Sequence, residues 1–373
     1  MKKERIFIIT FIIIIFLPLI FSDKVGGAVS EKENRYLASF PQLKLHPGLQ
    51  EEVENWINDN SGGREALRSI YNYFDINVLK TQRDSSNIYM GDWIFYYNES
   101  VLSFLQNAEV MSPEEQEDFI TSYQELQSSL NEKNIFMGSI IFPQKAEIYA
   151  EWFSRYIKPV NEISSLSILE KISIENPDLK LSVPYTYFKE RSDCGELLYS
   201  KAYDTSHWNN QGAFAGYQKF MEVVQKGFPN IKILSEADMD IREIEREKNY
   251  NGKLYRESDL DYMVKMPNAV EDPSWFTSIG YETNDPWCSY RYYKNMDGSL
   301  PKILIVGDSY VWMFMMPWLS ESFSETVFIH WMDSDNFNSM VDVLQPDVII
   351  FAGLQSGIPS TIRSLSSQIN IND

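Results

Sequence analysis

After Pro301 the chain alternates between short apolar runs and amphipathic segments, and this alternation constrains its fold more than any other feature. Lys302–Val306 reads as a buried strand and Val311–Ser320 as a helix. Thr326–His330 reads as a strand, Asn336–Leu344 as a helix, Asp347–Phe351 as a strand and Ser360–Gln368 as a last helix. Strand and helix in regular alternation predict a parallel sheet, because each crossover helix returns the chain to the same edge and covers a sheet face. Continuous apolar runs such as Ile303-Leu304-Ile305-Val306 fit strands buried on both faces. In such α/β sheets reactive groups collect just beyond the carboxyl ends of the strands.

Upstream the pattern is less regular. Ile135–Phe142 reads as a further strand, ending at Pro143-Gln144-Lys145. Ser112-Pro113-Glu114-Glu115 is a helix start, with Ser as N-cap and Pro at the first helical position, and predicts a helix over 112–132. A second helix is expected over 211–226, entered from Asn209-Asn210. Residues 88–97 are aromatic and β-like, and 51–80 read as helical with Gly62-Gly63 interrupting. Residues 235–300 are polar, aromatic and without clear period, and are read as an irregular insertion. The expected layout is an N-terminal segment 1–22, a tether over 23–50 with Pro41 and Pro47, and one catalytic domain over 51–373.

The N-terminus carries Lys2, Lys3 and Arg5, then an apolar run from Ile6 to Phe21. A basic flank before an apolar segment marks an export signal or an uncleaved anchor, with the following chain outside the cytoplasm. The run is slightly short of the roughly 20 residues that span a bilayer. Cleavage near Gly26-Gly27-Ala28 is the alternative to a single-pass anchor. In that compartment Cys194 and Cys288 either pair or remain two unrelated buried thiols. The 373 residues hold 53 Asp and Glu against 33 Lys and Arg, a net charge of −20. So acidic a chain is unsuited to nucleic acid or to an anionic polymer, and neutral or zwitterionic partners fit better. Three His and two Cys give no metal-site spacing, and no cofactor is implied.

Two short segments carry chemistry. In Ile303-Leu304-Ile305-Val306-Gly307-Asp308-Ser309-Tyr310 a buried strand runs into a tight turn that presents Ser309 at the start of a helix. Serine needs a base to become a nucleophile. In Tyr203-Asp204-Thr205-Ser206-His207-Trp208-Asn209 an Asp and a His lie three residues apart, ahead of a helix. That spacing lets the Asp204 carboxylate turn back onto one imidazole nitrogen of His207 and leaves the other free as base. His46 sits in the Pro-flanked tether and His330 in an apolar strand, so His207 is the candidate.

Gly307-Asp308-Ser309 after a strand resembles the first block of the SGNH (GDSL-type) hydrolases, and Asp204-x-x-His207 resembles their last block. The order is permuted, with Asp and His upstream of Ser, as in the alginate O-acetyltransferase and DHHW group of exported SGNH-like proteins. Glu33-Asn34-Arg35-Tyr36-Leu37-Ala38-Ser39-Phe40-Pro41, Met90-Gly91-Asp92-Trp93-Ile94-Phe95-Tyr96 and Phe142-Pro143-Gln144-Lys145-Ala146-Glu147-Ile148-Tyr149 resemble further motifs of that group. One departure stands out: the group usually shows Asp-x-His-Trp, and this chain has one residue more.

The resemblance implies a three-layer, flavodoxin-like α/β fold and O-acetylation of an exported cell-surface polysaccharide. His207 would take the Ser309 proton, Asp204 would hold the imidazole, and an acetyl-serine would pass its acetyl group to a sugar hydroxyl. Kinship also implies a membrane-bound O-acyltransferase as acyl donor. The wider family draws oxyanion donors from a Gly and an Asn, for which Gly353 and Gln355 are candidates. Trp208, Tyr310 and Tyr203 could stack on a sugar, although Trp208 could equally anchor its loop to the core. The alternatives are a carbohydrate esterase with the same triad, and a non-catalytic membrane-tethered polysaccharide-binding or assembly protein.

Overall fold

The computed structural model describes residues 86–372 apart from 154–156 and 284, and before them residues 11, 29–30, 35–41, 44, 46–60 and 70. The expected anchor, Ile6 to Phe21, lies outside the described residues except for Phe11. The described chain forms two compact units, residues 1–98 with 249–255, and residues 99–248 with 256–373.

In the first unit, helix Leu49–Asn60 begins just before the expected boundary. Residues 38 and 40, within the stretch read as a tether, contact this helix. The Ala38 amide donates to Asp59 Oδ2 at 2.8 Å, Asn60 Nδ2 donates to the Ala38 carbonyl at 2.9 Å, and Phe40 meets Trp56 edge-on at 4.9 Å. The β-like reading of 88–97 corresponds to a hairpin, Asn87–Met90 with Trp93–Tyr96, turning at Gly91.

The second unit is built on a seven-stranded sheet. Its strands are β1 Phe136–Phe142, β2 Leu181–Ser182, β3 Ala269–Glu271, β4 Tyr290–Asn295, β5 Lys302–Gly307, β6 Glu325–His330 and β7 Val348–Leu354. The order is β2-β1-β7-β5-β6-β4-β3. The first five are mutually parallel, and β4 joins β6 antiparallel. The parallel sheet predicted by the alternation after Pro301 is present. Ile303 to Val306 and Val348 to Ala352 are fully buried, as central strands covered on both faces must be. Helices Pro113–Glu132 and Ile358–Asn372 pack together, and helix Asn210–Gln225 packs on β1. The first of these helices starts with the predicted device: Ser112 Oγ accepts from the Glu115 amide, and the Glu115 carboxylate accepts from the Ser112 amide. The helix expected over 311–320 is instead two short ones, Ser309–Trp312 and Met316–Leu319, the second entered through Pro317.

The insertion over 235–300 is not irregular. Met239–Tyr250 and Lys253–Val264 form a long hairpin whose turn, Asn251-Gly252, has φ of +50° and +82°. Asn-Gly favours this mirror-image turn because both residues tolerate positive φ. The rest of the insertion adds β3 and β4 to the sheet edge. There Trp275 stacks on Tyr292 with centroids 4.5 Å apart, and Phe276 is buried.

Candidate active site

The site lies beyond the carboxyl ends of β1, β5 and β7. Strand β5 delivers Gly307, and Asp308 then leaves the sheet as the N-cap of helix Ser309–Trp312. The Asp308 carboxylate accepts from the Tyr310 amide at 3.0 Å and from the Leu354 amide at 2.7 Å, which ties this turn to the end of β7. Burial raises its carboxyl to about 6, against the pull of those two amides.

The second segment is the loop that runs into helix Asn210–Gln225. Asp204 Oδ1 accepts from the backbone amides of Ser206 and His207, each at 2.9 Å, so the carboxylate closes its own turn. Both carboxylate oxygens also lie 3.0 Å from His207 Nδ1. With the proton on Nδ1, Nε2 is the acceptor, and it lies 2.8 Å from Ser309 Oγ. The three-residue spacing that departs from the family pattern is thus accommodated by the turn. Burial pulls the imidazole down, but the Asp204 charge and hydrogen bond outweigh it and hold His207 above its ordinary value. Burial opposes ionisation of Asp204 as well, yet the imidazole and the two amides hold its carboxyl well below the usual range. Such a chain can take the Ser309 proton as the oxygen attacks a carbonyl, and return it to a leaving group.

The remaining sequence candidates take other places. Trp208 is 1% exposed and packs against Phe142, Phe188, Tyr310 and Phe314. A Cβ at residue 216 would come 2.6 Å from its ring, so Gly216 lets helix Asn210–Gln225 close over it. Tyr310 is 2% exposed, and its hydroxyl donates to the Ser206 carbonyl at 2.7 Å. Neither ring presents a face for a sugar, which corrects that expectation; together they fasten the His207 loop to the Ser309 helix. Tyr203 is exposed, with Arg246 over its ring. Gln355 Nε2 donates to Glu147 Oε1 at 2.7 Å and is committed there, while Oε1 is buried without a hydrogen-bond partner. Gln355 lines a cavity of about 530 Å³ together with Phe104, Met111, Pro359 and Arg363. At Gly353 a side chain would collide with the Asp308 carboxylate, so the missing Cβ makes room for Asp308. His330 Nδ1 accepts from the Met332 amide at 3.2 Å. Cys194 is exposed, Cys288 is buried, and both are free thiols, so the pairing alternative is corrected.

Sequence reasoning missed two buried charges. Lys145, just past β1, is 1% exposed and donates to the carbonyls of Lys201 and Asp204; burial lowers its ammonium to about 7. Glu257, on the hairpin, accepts from Ser200, Ala202 and Tyr203. A lysine at a strand's carboxyl end, inside a family-like motif, was a usable signal for the first. Nothing in the charged alternation of 239–264 distinguished the second.

An α/β sheet with a hydrogen-bonded Ser, His and Asp at its carboxyl edge defines an SGNH-like acyl-handling protein. The profile described as "SGNH hydrolase-like domain, acetyltransferase AlgX" matches residues 90–348, and the chain belongs to that family and is an SGNH-type O-acyltransferase. Among solved structures, PatB1 of Bacillus cereus, determined with a sulfonyl adduct, superposes with a TM-score of 0.51 at 16% identity, covering 74% of this chain and 96% of that one. A DHHW family protein of Eubacterium siraeum gives 0.44 at 14% identity, over 66% and 88% of the two chains. The O-acetyltransferase domain of Pseudomonas putida AlgJ gives 0.40 at 12%, over 74% and 97%. No curated protein matches the chain in sequence.

Proposed function

We propose that this chain O-acetylates a hydroxyl of an exported cell-surface polysaccharide through an acetyl-Ser309 intermediate, as a membrane-tethered enzyme facing outward. The observation that carries the reading is the 2.8 Å approach of Ser309 Oγ to His207 Nε2, with the Asp204 carboxylate behind the imidazole. In the first half-reaction Ser309 Oγ attacks the donor's acetyl carbonyl while its proton passes to Nε2. The tetrahedral adduct collapses, and the leaving group departs with that proton. In the second half-reaction the sugar hydroxyl gives its proton to Nε2 and attacks the acetyl-serine; the adduct collapses, the acyl–Oγ bond breaks, and Nε2 returns the proton to Ser309 Oγ, releasing the sugar ester.

Transfer must outrun hydrolysis by bulk water. An acceptor held in line reaches effective molarities of about 10⁵ M, which is enough. The net charge of −20 favours a neutral or zwitterionic glycan over a polyanion. The basic flank and apolar run at residues 1–21 support the tether, and a membrane-bound O-acyltransferase would supply the acetyl group from across the bilayer. The test supplies an acetyl ester donor with a panel of oligosaccharides and follows the products by mass spectrometry. Acetylated sugar with native protein and none with Ser309→Ala is the expected result, with one acetyl group retained on Ser309 when the acceptor is omitted. Free acetate as the sole product across the panel, with acetylated glycans stripped, would replace this reading by a carbohydrate esterase.

A further inference from the structure

Residues 200–204 carry the Asp204 carboxylate, yet this segment has no helix, no strand and neither Gly nor Pro to shape it. Its polar backbone is divided between two buried charges of opposite sign. Lys145 Nζ donates to the Lys201 carbonyl at 3.2 Å and to the Asp204 carbonyl at 3.1 Å. Glu257 Oε2 accepts from the amides of Ala202 and Tyr203 at 2.7 and 3.3 Å. Ser200 Oγ donates to Glu257 Oε1 at 2.5 Å and accepts from the Asp204 amide at 2.8 Å. The strand that carries Glu257 also reaches the start of the following helix, where Asp259 accepts from the Asn210 amide at 3.2 Å. Burying a charge is costly unless hydrogen bonds compensate it. Here the compensating groups on Glu257, and two of those on Lys145, belong to the loop that carries Asp204.

We propose that Lys145 and Glu257 are positioning residues, a clamp of opposite charges that fixes loop 200–204 and thereby aims Asp204, and through it His207, at Ser309. The carbonyls turn toward the ammonium and the amides toward the carboxylate, so the loop has one preferred pose. Releasing either side lets Asp204 drift from Nδ1, and misplacement of about 1 Å at a catalytic group costs roughly 100-fold in rate. The clamp rests on the reading of Ser309, His207 and Asp204 as the acyl-transfer machinery.

The experiment uses the full chain with 4-nitrophenyl acetate as probe. It compares native protein, Ser309→Ala, Lys145→Met, Glu257→Gln and Ser200→Ala, each checked for folding by circular dichroism and thermal melting. The clamp predicts that Lys145→Met and Glu257→Gln lose kcat by roughly 100-fold with KM changed less than about threefold, and that Ser200→Ala loses less. It also predicts that the downfield proton resonance of the His207 Nδ1–H···Asp204 bond weakens in the folded variants, which lost stability alone would not cause. Because either buried charge could fail to fold when changed, Ser200→Ala carries the same test through a smaller lesion. Folded variants with native kcat and an intact resonance overturn the clamp. Should Ser309→Ala keep native turnover, the acyl-serine reading falls first and the clamp with it.

Discussion

Asp308 and Gly353 occupy one another's space: a Cβ at residue 353 would stand 2.5 Å from Asp308 Oδ2. The glycine is required by proximity, since β7 must pass close enough for the Leu354 amide to reach that carboxylate at 2.7 Å. Gly353→Ala is expected to push Asp308 off both of its amides and to tilt the Ser309 turn. Overpacking of this kind costs about 1–3 kcal/mol. Urea unfolding should show that loss together with a fall in ester hydrolysis; an unchanged variant would mean that the turn absorbs a methyl group freely.

The Asp204–His207 pair sets the pH dependence. His207 must be neutral to accept the Ser309 proton, and its affinity for a proton is raised in this site. The acid limb of the hydrolysis profile should therefore lie above the ordinary imidazole value of about 6.5. Asp204→Asn removes the larger of the two charges that raise it, leaving Asp308 against burial and Lys145, which pull the other way, so the limb should move to lower pH. Turnover should also fall by roughly 10⁴-fold through loss of the correct tautomer. A limb that stays in place would show that another group governs it.

Trp208 tests anchoring against sugar stacking. A ring buried among Phe142, Phe188, Tyr310 and Phe314 predicts a loss of about 3–5 kcal/mol for Trp208→Ala, measured by urea unfolding. Hydrolysis of a small acetyl ester should fall too, although that substrate has no sugar to stack. A stable variant impaired only with oligosaccharide acceptors would restore the stacking role.

The two cysteines should behave as separate thiols. Burial pushes the Cys288 thiol up to about 11, while Cys194 is exposed. Iodoacetamide should label Cys194 in native protein and Cys288 only after denaturation. A mass shift on reduction, from loss of a disulfide, would contradict this.

The fold was legible where one physical signal dominated. The apolar runs of β5, β6 and β7 had no alternative to burial in a parallel sheet, and Ser112-Pro113-Glu114-Glu115 dictated its helix start through local capping. The hairpin of 239–264 escaped because charged residues fill both strands and mask the period, although Asn251-Gly252 marked its turn. Helices Ser165–Glu175 and Tyr185–Asp193 also went unread, between the stronger signals on either side.

For the site, the sequence by itself determined which residue types were at hand: a serine at a strand-to-helix turn and an Asp three residues ahead of a His. Those are local facts, fixed by spacing along the chain. Only the tertiary structure decided that His207 Nε2 reaches Ser309 Oγ across 102 residues of chain. It alone decided that Trp208 and Tyr310 face inward, that Gly353 makes room for Asp308, and that Lys145 and Glu257 meet on one loop. Burial and contact between residues distant in the chain arise from packing, which no single segment encodes.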